Sequence, residues 1–200
     1  MHPNRVFAWT DTDAMRAFVA RVAFAHIFVA TADGPAVGHA PVIVTEAGCL
    51  RFHLARGNRL VSAIDGAVAV ASVAAHDHYV SPDWYASADQ VPTWNYLAVE
   101  AEGPVARLHE AELALLLDAL SEAHETRLLP KPPWTRAKMS AGRFDAMLGA
   151  IVGLELRPSE LRGTIKLGQN KGSEDRAGVV AALQALGRAD EAALVAGAGR

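Results

Sequence analysis

The residues most able to do chemistry fall in three short stretches. In His53-Leu54-Ala55-Arg56-Gly57-Asn58-Arg59, two guanidinium groups and an amide gather where an apparent strand runs into a helix start. Unpaired backbone N–H groups at such a start suit an anion, and arginine meets phosphate through two parallel hydrogen bonds. The same residues also describe an exposed turn with solvated arginines and an Asn cap. In Lys166-Leu167-Gly168-Gln169-Asn170-Lys171, two cations and two amides share a glycine-containing loop before a helix. Packing gives no reason for so many long donors there, although a plain surface loop has a similar composition. In His76-Asp77-His78, strand alternation would put both imidazoles on one face. His39 or His53 could supply a third metal ligand, but no Cys or carboxylate completes a recognised spacing, so no metal is expected. His39 and His53 are the candidates for a general acid or base, and no catalytic residue is assigned. His124 near a helix C-terminus is explained by the helix dipole.

Between these stretches lies an aromatic segment, Tyr79-Val80-Ser81-Pro82-Asp83-Trp84-Tyr85 followed by Val91-Pro92-Thr93-Trp94-Asn95-Tyr96. It holds two of the four tryptophans and all three tyrosines. Such a cluster around prolines forms either a shaped ligand wall or a satellite apolar cluster under a loop.

These residues need elements to position them. Asp11 or Thr12 caps an expected helix over Asp13–Phe24, with Met15, Phe18, Val19 and Val22 facing a core. Strands are expected over His26–Thr31, Val37–Thr45 and Cys49–Ala55, with turns at Asp33-Gly34-Pro35 and Ala47-Gly48. A short helical segment follows over Arg59–Ile64. Ala67–Ala74 is apolar without alternation and reads as a strand buried on both sides. Trp94–Leu108 reads as one long strand, bulged or at a sheet edge near Gly103-Pro104. Glu110–Glu125 is an amphipathic helix with Leu113, Leu116, Leu117 and Leu120 on one stripe. A helix over Ser140–Gly149, a closing strand over Ile151–Leu161 and a loop over Gly163–Ser173 come next. A helix over Asp175–Leu186 and a short alanine-rich helix with fraying last residues end the chain.

Six or so short strands with peripheral helices indicate a closed or half-closed antiparallel barrel, mainly β in an α+β setting. The length of 200 residues fits one domain with an appendage. A hydrophobic fraction of 51% excludes disorder, and a formal net charge of −3 with no block of like charges argues against a dominant grip on nucleic-acid phosphates. The single cysteine, Cys49, excludes an intrachain disulfide and reads as a core residue. There is no dinucleotide glycine fingerprint, phosphate-binding Walker loop or nucleophile elbow. The N-terminus lacks an apolar signal core and no apolar run reaches membrane-spanning length, so a soluble cytoplasmic protein without membrane contact is expected.

Taken in order, His39-x-Pro41, His53-x-Ala55-Arg56-x-Asn58, the two aromatic motifs, Lys166-Leu167-x-Gln169-Asn170-Lys171 and Asp175-Arg176-x-Gly178-Val179-Val180 resemble the PaiB-type FMN-binding negative transcriptional regulators. The resemblance runs from Met1 to about Leu186. It implies an FMN-binding split β-barrel, similar to the pyridoxamine-phosphate oxidase-like flavoproteins, over residues 1–186, with residues 187–200 as a helical tail. It also implies a homodimer with FMN at the subunit interface. Under it, Arg56 and Asn58 hold the FMN phosphate, His39, Pro41 and His53 run beside the flavin ring, and Trp94 and Asn95 line the site. Lys166, Gln169 and Asn170 would reach the cofactor or substrate pocket. Two departures stand out: Ala74-Ala75-His76-Asp77-His78 replaces a Gln-Gly-Pro-His-Ala-like segment, and Gly168 replaces a serine. The implied function is regulation of transcription, although no helix-turn-helix signature or basic recognition helix supports DNA binding. The alternatives are a flavin-dependent oxidoreductase acting on a small substrate and a flavin-free interaction protein on the same barrel.

Overall fold

The structure is a computed structural model and describes residues 2–198. The chain forms two compact units, one of Thr12–Val73 and Glu100–Leu161, the other of Met1–Asp11, Ala74–Val99 and Arg162–Arg200. Among the described residues, eight strands are hydrogen-bonded in the order β1-β8-β6-β5-β2-β3-β4-β7. Because β6 also pairs with β7, the path β6-β5-β2-β3-β4-β7 closes on itself as a barrel.

The first unit holds that closure. Helix α1 (Thr12–Val22) buries Met15, Phe18 and Val19, the stripe read from the sequence. Strands β2 (Phe24–Thr31) and β3 (Gly34–Val44) form a hairpin in which His26 lies opposite His39 and Phe24 opposite Pro41. β4 (Leu50–Ala55) pairs with β3 on one side and β7 (Ile151–Leu156) on the other. Inward residues alternate along each strand: Ile27 and Val29, Ala40 and Val42, Phe52 and Leu54, Ala71 and Val73, Leu154 and Leu156 are all buried. Each such Leu, Ile, Val or Phe contributes about 1.5–3 kcal/mol, so the barrel interior carries the unit's stability.

The outer faces divide the unit into a covered and an uncovered side. Helix α2 (Glu110–Glu125) lays Leu113, Leu116 and Leu120 on Ile43 and Ile151, together with Leu148 of α3 (Arg143–Leu148). Glu112 reaches back to accept the His109 backbone N–H at 3.0 Å and fixes the start of α2. On β2, by contrast, Phe24 and Phe28 remain 46% and 44% exposed.

The other unit is built from β1 (Ala8–Trp9) paired with β8 (Glu160–Lys166), the later part of β5 (Val68–Val80), the first part of β6 (Thr93–Arg107), and helices α4 (Ser173–Ala185) and α5 (Ala189–Gly197). Helix α4 packs on α5, burying Val179 and Leu183 against Ala192 and Val195. Gly178 of α4 lies so close to the aromatic segment that a Cβ there would stand 2.0 Å from the Trp84 carbonyl oxygen. Asp175 in the first turn of α4 accepts the Ser87 N–H at 2.9 Å and its hydroxyl at 2.7 Å. These hydrogen bonds hold the Asp175 carboxyl below its ordinary pKa.

Several sequence expectations are corrected. Arg59–Ile64 forms consecutive turns in place of a helix, with Asn58 Oδ1 accepting the Leu60 N–H at 2.9 Å. The expected closing strand divides into β7 and β8 around Arg157-Pro158, where proline supplies no ladder donor. β8 also takes in the first four residues of the expected Gly163–Ser173 loop. The expected strand over Ala67–Ala74 is not buried on both sides: it alternates, and Val68 is 60% exposed. β5 also continues through Asp77 and His78, and its buried positions change from odd numbers (Ala69, Ala71, Val73) to even (His78, Val80). His76 sits in that transition with φ +58°, a left-handed backbone that glycine adopts more easily. The expected fraying of the last residues concerns Gly199 and Arg200, which lie outside the described residues.

Candidate functional site

The ten residues expected to bind cofactor divide evenly between the two units. His39, Pro41, His53, Arg56 and Asn58 belong to the barrel unit; Trp94, Asn95, Lys166, Gln169 and Asn170 belong to the other.

In the barrel unit, β4 ends at Ala55 and delivers Arg56 to the surface. Arg56 Nε donates to the Gly149 carbonyl at 2.6 Å and Nη2 to the Ile151 carbonyl at 3.2 Å. Two bonds to fixed backbone acceptors lock the guanidinium plane while using only part of its five donors. Asn58 spends its carbonyl oxygen on the turn, accepting the Leu60 N–H at 2.9 Å. A guanidinium, an amide and a turn backbone are each groups able to hydrogen-bond a phosphate. His39 is exposed on the outer face of β3 and meets His26 edge-on, with ring centroids 4.9 Å apart. Pro41 and His53 are half-buried and line a cavity of about 580 Å³ with Leu117, Leu120, Trp134 and Phe144. Burial holds the His53 pKa below the ordinary imidazole value, and its Nδ1 is buried without a hydrogen-bond partner. His124 lines the same cavity with a buried, unpartnered Nε2, a role that its place at a helix end did not reveal.

In the other unit, Asn95, Lys166 and Asn170 line a smaller pocket of about 280 Å³ with Thr93, Tyr85 and Lys171. Asn95 is buried, its Nδ2 lying 3.3 Å from His78 Nε2, while His78 Nδ1 lies 3.0 Å from the His76 carbonyl. A neutral imidazole protonated on Nδ1 satisfies both contacts. Burial lowers the His78 pKa in keeping with that neutral form. Lys166 Nζ donates to Thr93 Oγ1 at 2.5 Å and to the Trp94 carbonyl at 2.8 Å, and burial lowers its pKa. Lys171 donates to Gln90 and lies 4.8 Å over the Tyr85 ring. Gln169 folds back on its own loop: Oε1 accepts the Leu167 N–H at 2.8 Å and Nε2 donates to the Ile165 carbonyl at 2.6 Å. Gly168 has φ +79°, so the glycine standing where a serine was expected serves the turn itself. Trp94 is half-exposed and meets Tyr79 edge-on, with ring centroids 6.3 Å apart. His76 Nδ1 lies 3.8 Å from Glu191, and His78 faces Asn95, so the two imidazoles serve different contacts.

Residues 1–160 match the family described as "Putative FMN-binding domain". The chain belongs to this FMN-binding domain family. It is 27% identical over 188 residues, 92% of this chain and 89% of that protein, to the "Protease synthase and sporulation protein PAI 2" of Bacillus subtilis. Among solved structures, the flavocytochrome Anf3 from Azotobacter vinelandii superposes with a TM-score of 0.62 at 19% identity, covering 88% of this chain and 78% of that one. The FAD and heme binding protein from Mycobacterium smegmatis gives a TM-score of 0.61, also at 19% identity, covering 85% and 78%. The fold is therefore the flavin-binding split barrel, and the protein resembles the PaiB type, as its motifs led us to expect. The cofactor that goes with this membership is a flavin, FMN in the family's own description. The Lys166–Lys171 motif lies beyond the residues that define the family match. Among the described residues, no helix is long and apolar enough to cross a membrane, and no group of three or more His, Cys, Asp or Glu gathers as a metal site.

Proposed function

We propose that this protein is a cytoplasmic FMN-holding regulator of the PaiB kind that works as a homodimer. Arg56 is the observation that carries the cofactor assignment: its guanidinium is held by the Gly149 and Ile151 carbonyls at the mouth of the β4 turn. In this reading Arg56 and Asn58 take the FMN phosphate and His39 follows the ring along the outer face of β3, whereas Pro41 and His53, expected beside it, line the cavity next to α2. Trp94, Asn95, Lys166 and Asn170 come to the flavin from the second copy of the chain. Gln169 acts one step away, by bracing the loop that presents Lys166 and Asn170. The flavin, when bound, supplies one- and two-electron chemistry; this chain binds it, orients it and shields it.

The test is the visible absorption spectrum of the purified protein after FMN is added and excess removed by desalting. Wild type is expected to retain the flavin band. Arg56→Ala removes a charge-assisted contact to phosphate, commonly about 1.5–3 kcal/mol, and is expected to weaken FMN binding by about tenfold to a hundredfold. Unchanged FMN affinity in Arg56→Ala would overturn the phosphate assignment. The regulatory reading predicts DNA retention that weakens steeply with added salt, measured by gel shift with upstream fragments of the protein's own operon.

A further inference from the structure

We propose that the 580 Å³ cavity beside α2 is a binding pocket for a molecule other than FMN: an uncharged aromatic of about naphthalene size bearing a hydroxyl or carbonyl oxygen. Its volume lies in the range of small-molecule sites. Its wall is apolar and partly aromatic, with Leu117, Leu120, Phe144, Leu148, Ile151 and Trp134 around the opening.

The polar groups on that wall decide the ligand's charge. Glu125 is already committed to the Lys131 ammonium and, at 2.8 Å, to the Trp134 backbone N–H. Arg136 pairs with Asp118 at 3.3 Å and lies 5.1 Å over the Phe144 ring. Ser121 donates to the Leu117 carbonyl at 2.8 Å. Every charge at the cavity is thus balanced within the wall, and none is left for an ionic ligand. The FMN phosphate would find no partner here, and burying it unpaired would be costly. The exceptions are the imidazoles of His53 and His124, each with a buried nitrogen that no group satisfies. Two imidazoles in an apolar, partly aromatic chamber call for a flat apolar body with one or two oxygens that donate or accept a hydrogen bond. Met139 and Met147 complete the lining with flexible side chains that adapt to such a body.

The experiment is calorimetric titration of the full-length protein with 2-naphthol and with its charged counterpart 2-naphthalenesulfonate. It is run on wild type, Ala150→Phe and His124→Leu, each checked for folding by circular dichroism. Ala150 lines the cavity from an exposed position, so a phenyl group there fills space without disturbing the core. We expect 2-naphthol to bind wild type in the micromolar range and the sulfonate at least tenfold more weakly. Ala150→Phe should lose at least tenfold, and His124→Leu about fivefold, one neutral hydrogen bond's worth. Arg56→Ala, used as a control on the flavin assignment, should weaken FMN binding and keep 2-naphthol. Absence of 2-naphthol binding overturns the proposal, as does equal affinity for the sulfonate or equal affinity in both cavity variants. One-for-one displacement of 2-naphthol by FMN also overturns it, by giving the cavity to the flavin ring.

Discussion

At the residue scale, the site rests on side chains whose protonation is set by burial. His53 and His78 both have pKa values below the ordinary imidazole value, chiefly through burial. The unfolded chain protonates them near pH 6.5, while the folded protein resists doing so until lower pH. Between those values the unfolded state binds more protons, so stability rises with pH. Their contribution is complete above about pH 6.5 and is lost as pH falls below it. The shifted carboxylates behave differently: Asp175 and Glu191 are held below their ordinary values by hydrogen bonds from Ser87 and Arg188 respectively. At Glu155, burial pushes the pKa up, but hydrogen bonds and charge from Arg157 and Arg51 outweigh it and leave it lowered. The stability these three provide is present above about pH 4.5 and is lost only as pH falls through their depressed values. The midpoint of thermal unfolding is therefore expected to be flat from pH 7 to 8 and to fall from pH 6.5 to 5. Replacing His53 with Gln should flatten part of that fall, as followed by circular dichroism melts across the range. An equal slope in His53→Gln would show that this imidazole is not the titrating group.

At the element scale, helix α4 holds the aromatic segment by contact too close for any side chain but hydrogen. A Cβ on Gly178 would stand 2.0 Å from the Trp84 carbonyl, a backbone atom that cannot swing aside. Gly178→Ala is expected to destabilise by about 1–3 kcal/mol, as overpacking does, despite alanine's better helix propensity. Urea unfolding measures it; a stabilised variant would mean the contact is loose. The helices and most strands were legible because their signals are local: Glu110–Glu125 carries its stripe and α4 its first-turn acids in plain view. The change of buried phase along β5 was not legible, because it depends on one residue, His76, adopting φ +58° against its own preference. The break between β7 and β8 is half legible: Pro158 marks the end of a strand, but nothing local shows that a second strand begins at Glu160. At the candidate site, the types and spacing of Arg56 and Asn58 carry the phosphate expectation, but the backbone partners of the Arg56 guanidinium are not readable from them. Gln169 reads from its motif as a pocket residue, yet spends both ends of its amide on its own loop. His124 reads as a partner of the helix dipole, because nothing in the sequence tells which helix face borders a cavity.

At the scale of the whole molecule, the uncovered side of the barrel argues for a second copy. α2 covers the outer faces of β3 and β7 with leucines, whereas β2 leaves Phe24 and Phe28 close to half exposed. Register places Phe28 opposite Val37 of β3 and Val70 of β5, and His26 opposite His39 and Ser72, so these side chains form a continuous patch. Val68, 60% exposed, extends it along β5. A two-fold axis through the patch would use every residue twice, so four phenylalanines would be buried per dimer. At about 1.5–3 kcal/mol for each side chain fully buried, and less for a partly exposed one, they would contribute several kcal/mol. The double variant Phe24→Glu/Phe28→Glu places four carboxylates in that interface and is expected to convert a dimer of twice the chain mass into a monomer, by light scattering after size exclusion. The same preparation also tests the flavin reading. If FMN lies against His39 on this face and needs the partner's Lys166 and Asn170, the monomer should lose the flavin band although Arg56 is intact. A monomeric variant that still retains FMN would place the whole cofactor site within one chain, and a monomeric wild type would leave the Phe24–Phe28 face without the partner argued for it.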